Sequence, residues 1–250
     1  MNGMIGDFQN IKNFWILLII KKLKNNKFIK YKYKMLKLLD WIDIDKIDWY
    51  FLSENLNAIT LLKENQDKIN WDYLSKNPNA ISLLKENKDK INWFYLSLNP
   101  NAIELLEENQ DKISWLNLSA NPNAMKLLEK NKCKIDWYYL SENSNAIDML
   151  KKNQKNIEFT NLSNNRNSKA IKLLKKNKNN LCWDCWDNLS TNPNAINMLK
   201  KNQDMINWNL LSKNPKAIAL LKKNKNKINW NLLSENQNAI SLLKKNQDKI

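Results

Sequence analysis

Histidine is absent from this chain of 250 residues, glycine occurs only twice and cysteine three times. Without histidine there is no Ser-His or Cys-His nucleophile, and zinc loses its most common nitrogen ligand. Both glycines, Gly3 and Gly6, lie in the first six residues, so a glycine-rich phosphate loop is excluded further along the chain. Three cysteines are too few for a disulfide framework, and we expect a reducing, intracellular compartment.

Most of the chain repeats with a period of 22 residues. Leucine occupies the third position after a reference aromatic in every unit, serine the fourth and asparagine the sixth, and alanine occupies the ninth in all units but the sixth, where two inserted residues move it to the eleventh. The nine reference residues are Trp49, Trp71, Trp93, Trp115, Trp137, Phe159, Trp186, Trp208 and Trp230. Such self-similarity is typical of a solenoid, in which each unit folds only beside its neighbours.

Each unit has the pattern of two short helices, as the unit around Trp71 illustrates. Asn70 precedes the tryptophan and is a residue type that accepts from the free N–H groups of a helix start. Asn77 and Pro78 have the pattern of an N-cap and first residue of a second helix, and Asn87 suits a left-handed C-terminal cap. The sequence therefore predicts an all-α fold, an α-solenoid of about nine 22-residue helical hairpins. The alternative is a leucine-rich-repeat-like solenoid, which the prolines and the Lys, Glu and Asn residues at strand positions disfavour.

The N-terminal residues do not follow the repeat, so we divide the chain into a basic segment, 1–46, and a repeat solenoid, 47–250. Seven apolar residues at positions 14–20 precede seven lysines that end at Lys34, and this run is too short to span a bilayer. We expect a capping helix over residues 14–34 and then a degenerate half-repeat; a basic segment on an anionic membrane surface is less favoured. The chain ends at Ile250, where a tenth unit would begin, and we expect a partner, a second copy or a truncated reading frame there.

No residue pattern indicates an active site. The serine at the fourth position recurs in all nine units, which is typical of a packing or capping role. Cys182 and Cys185 have the spacing of redox and zinc motifs, but only Cys133 occurs elsewhere, and a structural origin in an expanded seventh unit is favoured. We therefore predict a protein that is not an enzyme, with no metal, no cofactor and no small-molecule substrate.

The remaining interpretation is binding to a macromolecule, and protein is the preferred partner. The positions directly after the reference aromatic are free to vary, and large aromatic side chains there lose little entropy when they are ordered in a protein contact. The candidate protein-contact residues are Tyr50, Phe51, Tyr73, Phe94, Tyr95, Tyr138 and Tyr139. We therefore predict a repeat scaffold that mediates protein–protein interaction.

Nucleic acid is the alternative partner, because the net charge is +16 and the isoelectric point about 9.6. A basic surface attracts phosphate regardless of base sequence, and lysine is more frequent in the later units. The candidate nucleic-acid contacts are Lys222, Lys223, Lys244 and Lys245. The competing explanation is that lysine stabilises helix C-termini and keeps the array soluble. The tryptophans, which periodicity assigns to the core, are poor candidates for base stacking.

The pattern W-x-x-L-S-x-N-P-N-A-I-x-L-L, which runs from Trp71 to Leu84, resembles the tandem 22-residue repeats of proteins encoded by giant DNA viruses of amoebae and algae. The resemblance covers residues 47–250, and Phe159 and the seventh unit interrupt its regularity. It implies kinship to a functionally uncharacterised family whose assumed role is interaction with host proteins, and it transfers no catalytic residue. It also implies an intracellular location, in the cytoplasm of an infected host cell.

Overall fold

The computed structural model describes residues 43–249, and every regular element within this range is helical. The predicted all-α solenoid is confirmed. The leucine-rich-repeat alternative is wrong, because no strand occurs between residues 43 and 249. Residues 1–42 and Ile250 lie outside the described range, and so do the capping helix expected over residues 14–34 and the chain end.

The described residues divide into two compact units, with the boundary between Ser114 and Trp115: the first unit comprises residues 43–114 and the second residues 115–249. Repeats are numbered 1 to 9 by their reference aromatics, so the references of repeats 1 to 3 lie in the first unit and those of repeats 4 to 9 in the second. Each repeat consists of a first helix (helix A), a turn, a second helix (helix B) and a short 3-10 helix. Within each unit, helix A packs against helix A of the next repeat.

The helices are short and recur in step with the sequence period. Helix A spans, in repeats 1 to 9, Trp49–Glu54, Trp71–Lys76, Trp93–Leu96, Trp115–Ala120, Trp137–Glu142, Phe159–Asn164, Trp183–Thr191, Trp208–Ser212 and Trp230–Leu233. Helix B spans Ile59–Glu64, Ile81–Glu86, Ile103–Glu107, Met125–Lys130, Ile147–Lys152, Ser168–Lys176, Ile196–Leu199, Ile218–Lys223 and Ile240–Lys244. The 3-10 helices follow helix B, as Gln66–Lys68 does in repeat 1, and a further one, Ile44–Lys46, precedes repeat 1.

Local chemistry explains where helix A begins and which face it buries. The side chain of Asn70 accepts a hydrogen bond from the backbone N–H of Tyr73 at 3.1 Å, which satisfies one of the free donors of the helix start. Leu74 of helix A and Leu83 and Leu84 of helix B are fully buried. Helices of this length do not persist alone in water, so their stability comes from this shared core.

The serine at the fourth position joins one repeat to the next, which confirms its predicted structural role. The hydroxyl of Ser75 donates to the carbonyl of Trp71 at 2.7 Å and accepts from the backbone N–H of Asn92 at 3.1 Å. Equivalent pairs of bonds form at Ser53 and Ser212. The buried hydroxyl therefore donates one hydrogen bond and accepts another, as a buried polar group requires.

The asparagine at the sixth position forms a ladder along the array. The amide nitrogen of Asn99 donates to the carbonyls of Ser75 and Asn77 in the preceding repeat, each at 3.0 Å. Its side-chain oxygen accepts from the backbone N–H of Asn101, whose own amide donates to the carbonyl of Pro78 at 2.9 Å. The carboxamide therefore shapes the turn of its own repeat and binds the backbone of the repeat before it.

Two sequence-based assignments of helix ends are wrong, and hydrogen bonds of asparagine side chains explain both. Helix B begins at Ile81, not at Pro78, because Asn77 is the C-cap of helix A and its side chain folds the following residues into a turn. Asn87 is not left-handed, since its φ is −131°. Its amide instead donates to the carbonyl of Leu83 at 3.0 Å, which satisfies a helix-end acceptor without a change in backbone handedness.

The reference tryptophans are half-buried, so their assignment to the core is only partly right; Trp186 alone is fully buried. A lysine from the 3-10 helix of the same repeat lies over the ring in six repeats, with its Nζ 4.5–5.7 Å from the ring centroid. Such cation–π contacts contribute about 0.5–1 kcal/mol each at exposed sites. The lysine covers the ring face that the core leaves open, so these rings are not free for base stacking.

Replacement of Asn143 by alanine tests the asparagine ladder. The change removes the bonds from its amide to the carbonyls of Ser119 and Asn121 and leaves those acceptors without this partner. Since an unpaired buried polar group costs about 1–3 kcal/mol, we expect the free energy of unfolding to fall by about 3 kcal/mol in urea denaturation. The matched control is Asn145→Ala, which removes an exposed bond to Pro122 and should lose less than about 1 kcal/mol. Equal losses in the two variants would contradict the ladder.

Candidate interaction surfaces

Five of the seven predicted protein-contact residues lie together on the helices A of the first unit. The rings of Tyr50 and Tyr73 have centroids 3.8 Å apart and their hydroxyls are hydrogen-bonded, and the rings of Tyr73 and Tyr95 are 6.3 Å apart. Phe51 contacts Tyr50 and Phe94 contacts Tyr95, in both cases edge to face. These five residues are called the aromatic patch.

The aromatic patch is both ordered and accessible. Phe51 and Phe94 are 48% and 52% exposed and Tyr50 is 41% exposed, whereas Tyr73 and Tyr95 are half-buried. The Nζ of Lys76 lies 4.6 Å from the ring centroid of Tyr73 and 4.2 Å from that of Tyr95, so one cation bridges two repeats. The inner rings therefore hold the outer rings in place.

Tyr138 and Tyr139 form a smaller aromatic pair in the second unit. Their rings meet edge to face at 5.2 Å, and Tyr138 is 52% exposed. The amide of Asn161, from the next repeat, donates to the backbone carbonyl of Tyr138 at 2.9 Å. The second position after the reference aromatic is Tyr139 in repeat 5. In repeat 6 the same position is Asn161, whose amide forms the hydrogen bond to repeat 5.

The second unit also carries a row of lysine pairs, in or directly after the last turn of helix B. The pairs, called the lysine row, are Lys151 and Lys152, Lys175 and Lys176, Lys200 and Lys201, Lys222 and Lys223, and Lys244 and Lys245. Repeats 1 to 3 have Lys-Glu, Lys-Glu and Glu-Glu at the same two positions. The four predicted nucleic-acid contacts are therefore the end of a longer row. A comparison of these two positions across the repeats of the sequence would have identified the whole row.

Grooves between neighbouring helices B bring lysines of the row together. A groove of about 420 Å³ between repeats 8 and 9 is lined by Lys222, Lys225 and Lys245 around the buried Leu242. Equivalent grooves of about 390 Å³ and 260 Å³ lie between repeats 5 and 6 and between repeats 7 and 8, and each has row lysines from both repeats. The same basic groove is thus built at several steps of the array.

Residues 43–114 of the first unit differ from the second unit in sign of charge. Residues 43–114 contain 8 basic and 13 acidic side chains, whereas residues 115–250 contain 24 basic and 10 acidic ones. In the first unit, ion pairs link adjacent repeats: Lys63 with Glu86 at 3.9 Å and Lys85 with Glu104 at 2.8 Å. Among the ion pairs of the described residues, only Lys151 of the lysine row takes part, with Asp148 in its own helix.

The described residues contain neither a cluster of potential metal ligands nor a helix suited to span a membrane. No group of three or more His, Cys, Asp or Glu side chains that could hold a metal ion occurs in residues 43–249. Over the same residues, no helix combines the length and apolarity needed to cross a membrane. The segment over 14–34 that was considered for a membrane surface lies outside the described residues.

Comparison of the chain with protein-family models, with curated proteins and with solved structures gives no match.

The pKa of Glu104 tests the ion pair that links repeats 2 and 3. A hydrogen bond from Lys85 holds the pKa of this exposed carboxyl below 4.5 and raises the pKa of Lys85 above 10.5. A depressed carboxyl pKa stabilises the fold at pH values above the unfolded pKa, and this contribution is lost as the pH falls through the folded pKa. In NMR titration we expect Lys85→Met to raise the pKa of Glu104 towards its ordinary value.

The control is Lys76→Met, which removes the lysine over the tyrosine rings and should leave the Glu104 titration unchanged. An unchanged Glu104 titration in Lys85→Met would show that the pair does not form in solution.

Proposed function

We propose that the chain is a non-enzymatic repeat scaffold that binds protein partners, and that the aromatic patch of the first unit is its main contact surface. The observation that carries this proposal is the exposure of Tyr50, Phe51 and Phe94 on a base of half-buried tyrosines. Contiguous exposed rings of this kind are typical of interaction sites on soluble proteins.

The arrangement of the patch supports binding with little loss of entropy. Aromatic side chains have only two rotatable bonds and contribute large contact areas. The ring contacts and Lys76 already restrict them before a partner arrives, and preorganisation of this kind raises affinity by lowering the cost of ordering. The partner that fits is a protein surface with an apolar pocket or groove.

The cellular context of the proposal follows from the sequence resemblance. We place the chain among the giant-virus 22-residue repeat proteins and in the cytoplasm of an infected host cell, where the partner is a host or viral protein. The regular helical repeats and the three free thiols of the described residues support this placement, because free thiols are usual in reducing compartments.

Phe94→Ser tests the protein scaffold. Polypeptides from an amoebal host lysate that bind the immobilised full chain are purified and titrated by calorimetry. Loss of the exposed Phe94 ring should weaken the affinity of a partner that binds the aromatic patch by about tenfold or more. The affinity should change by less than about twofold between about 50 and 200 mM salt, because the contact is mainly apolar.

Asn209→Ser is the matched control, since Asn209 occupies the position of Phe94 in repeat 8 and is exposed. It should leave the affinity unchanged. If no polypeptide binds in a way that depends on Phe94, or if both variants weaken binding equally, the patch is not the contact surface.

Nucleic-acid binding is the second candidate, and the lysine row favours it. Nine of its ten lysines have no carboxylate partner among the ion pairs of the described residues. Lysine binds phosphate as a point charge without directional demands, and the row repeats with the period of the array, which matches a ligand with uniform charge along its length. The grooves contain leucine and alanine but no aromatic side chain, so contact is with the phosphate backbone of a duplex and not with stacked bases.

Replacement of Lys222, Lys223, Lys244 and Lys245 by glutamine tests this second candidate. Fluorescence anisotropy with labelled duplexes is measured from about 50 to 200 mM salt. Each phosphate contact contributes about 0.9 to the slope of log K against log salt, so loss of four contacts should reduce the magnitude of the slope by about 3.6 and weaken binding to all sequences alike.

Lys63→Gln with Lys85→Gln is the control, because these lysines occupy equivalent positions in the first unit and pair with glutamates. They should leave the slope unchanged. Because the control removes two charges and the test removes four, a change of slope in the control about half that of the test would mean that only total charge matters. Binding of poly-glutamate as tight as that of duplex would assign the row to an acidic polypeptide instead.

A further inference from the structure

Repeat 7 departs from the other repeats at the start of helix A. Its helix, Trp183–Thr191, has nine residues and begins three residues before the reference Trp186, whereas the other helices A begin at the reference aromatic. The extra turn makes Cys182 the N-cap and places Cys185 in the first turn. As a result, the two sulfur atoms lie 3.0 Å apart.

The two thiols differ in their access to solvent. Cys182 is exposed, whereas Cys185 is fully buried. Thr160, on helix A of repeat 6, has its hydroxyl 3.5 Å from the sulfur of Cys182 and 3.8 Å from that of Cys185. Trp183, next to Cys182, is 70% exposed. A reagent in solution therefore reaches the sulfur of Cys182 before that of Cys185.

The same surroundings separate the acidities of the thiols. A hydrogen bond from the thiol of Cys185, with a second from Thr160, lowers the pKa of Cys182. Burial, followed by the hydrogen bond to Cys182, raises the pKa of Cys185. The thiolate is the nucleophile in exchange reactions, so the exposed sulfur is the one activated for attack.

We propose that Cys182 and Cys185 form a reversible dithiol site that undergoes thiol–disulfide exchange with low-molecular-weight disulfides. The Cys182 thiolate attacks one sulfur of the disulfide, its S–S bond breaks, and one thiolate leaves as a mixed disulfide forms on Cys182. Cys185 then loses its proton to the first released thiolate and attacks the Cys182 sulfur, which releases the second thiolate. The second thiolate takes a proton from the solvent, which had received the proton of Cys182. Two cysteines are thereby oxidised to one disulfide, and the reagent is reduced to two thiols.

A metal-binding interpretation of the same pair is not supported by its surroundings. Structural zinc sites use four ligands, and the described residues contain no group of three or more potential ligands. The two sulfurs instead need to approach by only about 1 Å to reach the bond length of a disulfide. The geometry therefore favours exchange chemistry over metal binding.

The full chain with Cys133→Ser tests the proposal, since this change removes the third, exposed thiol. The protein is treated at neutral pH with glutathione disulfide and analysed by mass spectrometry. The expected product has no glutathione attached and a mass lower by about 2 Da, and dithiothreitol should restore the original mass. In the same background, Cys185→Ser should trap glutathione on Cys182, because the second attack is lost.

The rate of the first attack provides an independent measure. A variant that retains only Cys133 supplies the control thiol, and Cys182 in Cys133→Ser should react at least about tenfold faster at neutral pH. Thr160→Val removes one stabilising hydrogen bond and should shift the pH profile of this rate to higher pH, whereas a merely structural threonine would leave the profile in place. Reaction of Cys182 no faster than that of Cys133, or glutathione retained in the Cys133→Ser protein, would overturn the proposal.

Discussion

The hydrogen bond from the sixth-position asparagine to the backbone of the preceding repeat is the interaction on which the rest of the structure depends. A buried carboxamide costs free energy unless its donors and its acceptor are paired. In Asn77, Asn99, Asn143 and Asn165 both requirements are met, since the amide donates to two carbonyls of the repeat before and the oxygen accepts from its own turn. A single hairpin would bury this group without its partners, so the repeats are stable only beside one another.

Because buried residues join the repeats, the exposed positions are free to change. The buried leucines, the serine and the asparagine set the register between repeats, whereas the first position after the reference aromatic is exposed in seven of the nine repeats and the two positions that carry the lysine row in the second unit are exposed in all nine. Consequently the same backbone carries exposed rings such as Phe94 in one repeat and a polar Asn209 in another. The charge at the end of helix B changes in the same way, from Glu107 and Glu108 to Lys222 and Lys223. One scaffold can therefore present two chemically different surfaces without a change of fold.

The period and helical class could be predicted from the sequence because they depend on buried apolar positions such as the third-position leucine, which recurs in every repeat. The start of helix B could not be predicted in this way. The local preference of Asn77 and Pro78 for a helix N-terminus competes with hydrogen bonds from Asn77 to the preceding repeat, 22 and 24 residues away. The tryptophan environment was missed for the same reason: Lys90 lies over Trp71 only after the hairpin has folded. The aromatic patch was predicted by residue but not as a contiguous group, since the Tyr50–Tyr73 contact joins two repeats. Proximity of the sulfurs of Cys182 and Cys185 depended on an unforeseen extra turn of helix.

The expanded seventh repeat shows how new chemistry is accommodated in such an array. Asn192 still donates to the carbonyls of Ser163 and Asn165, at 2.9 and 3.1 Å, although the insertions increase the sequence separation to 29 and 27 residues. Ser190 likewise still donates to the carbonyl of Trp186. The extra turn with Cys182 and Trp183 therefore lies outside the asparagine ladder, and it meets the preceding repeat through the Thr160 hydroxyl, which contacts both sulfurs. An insertion ahead of the reference aromatic can therefore create a reactive site while the asparagine bonds to the preceding repeat are kept.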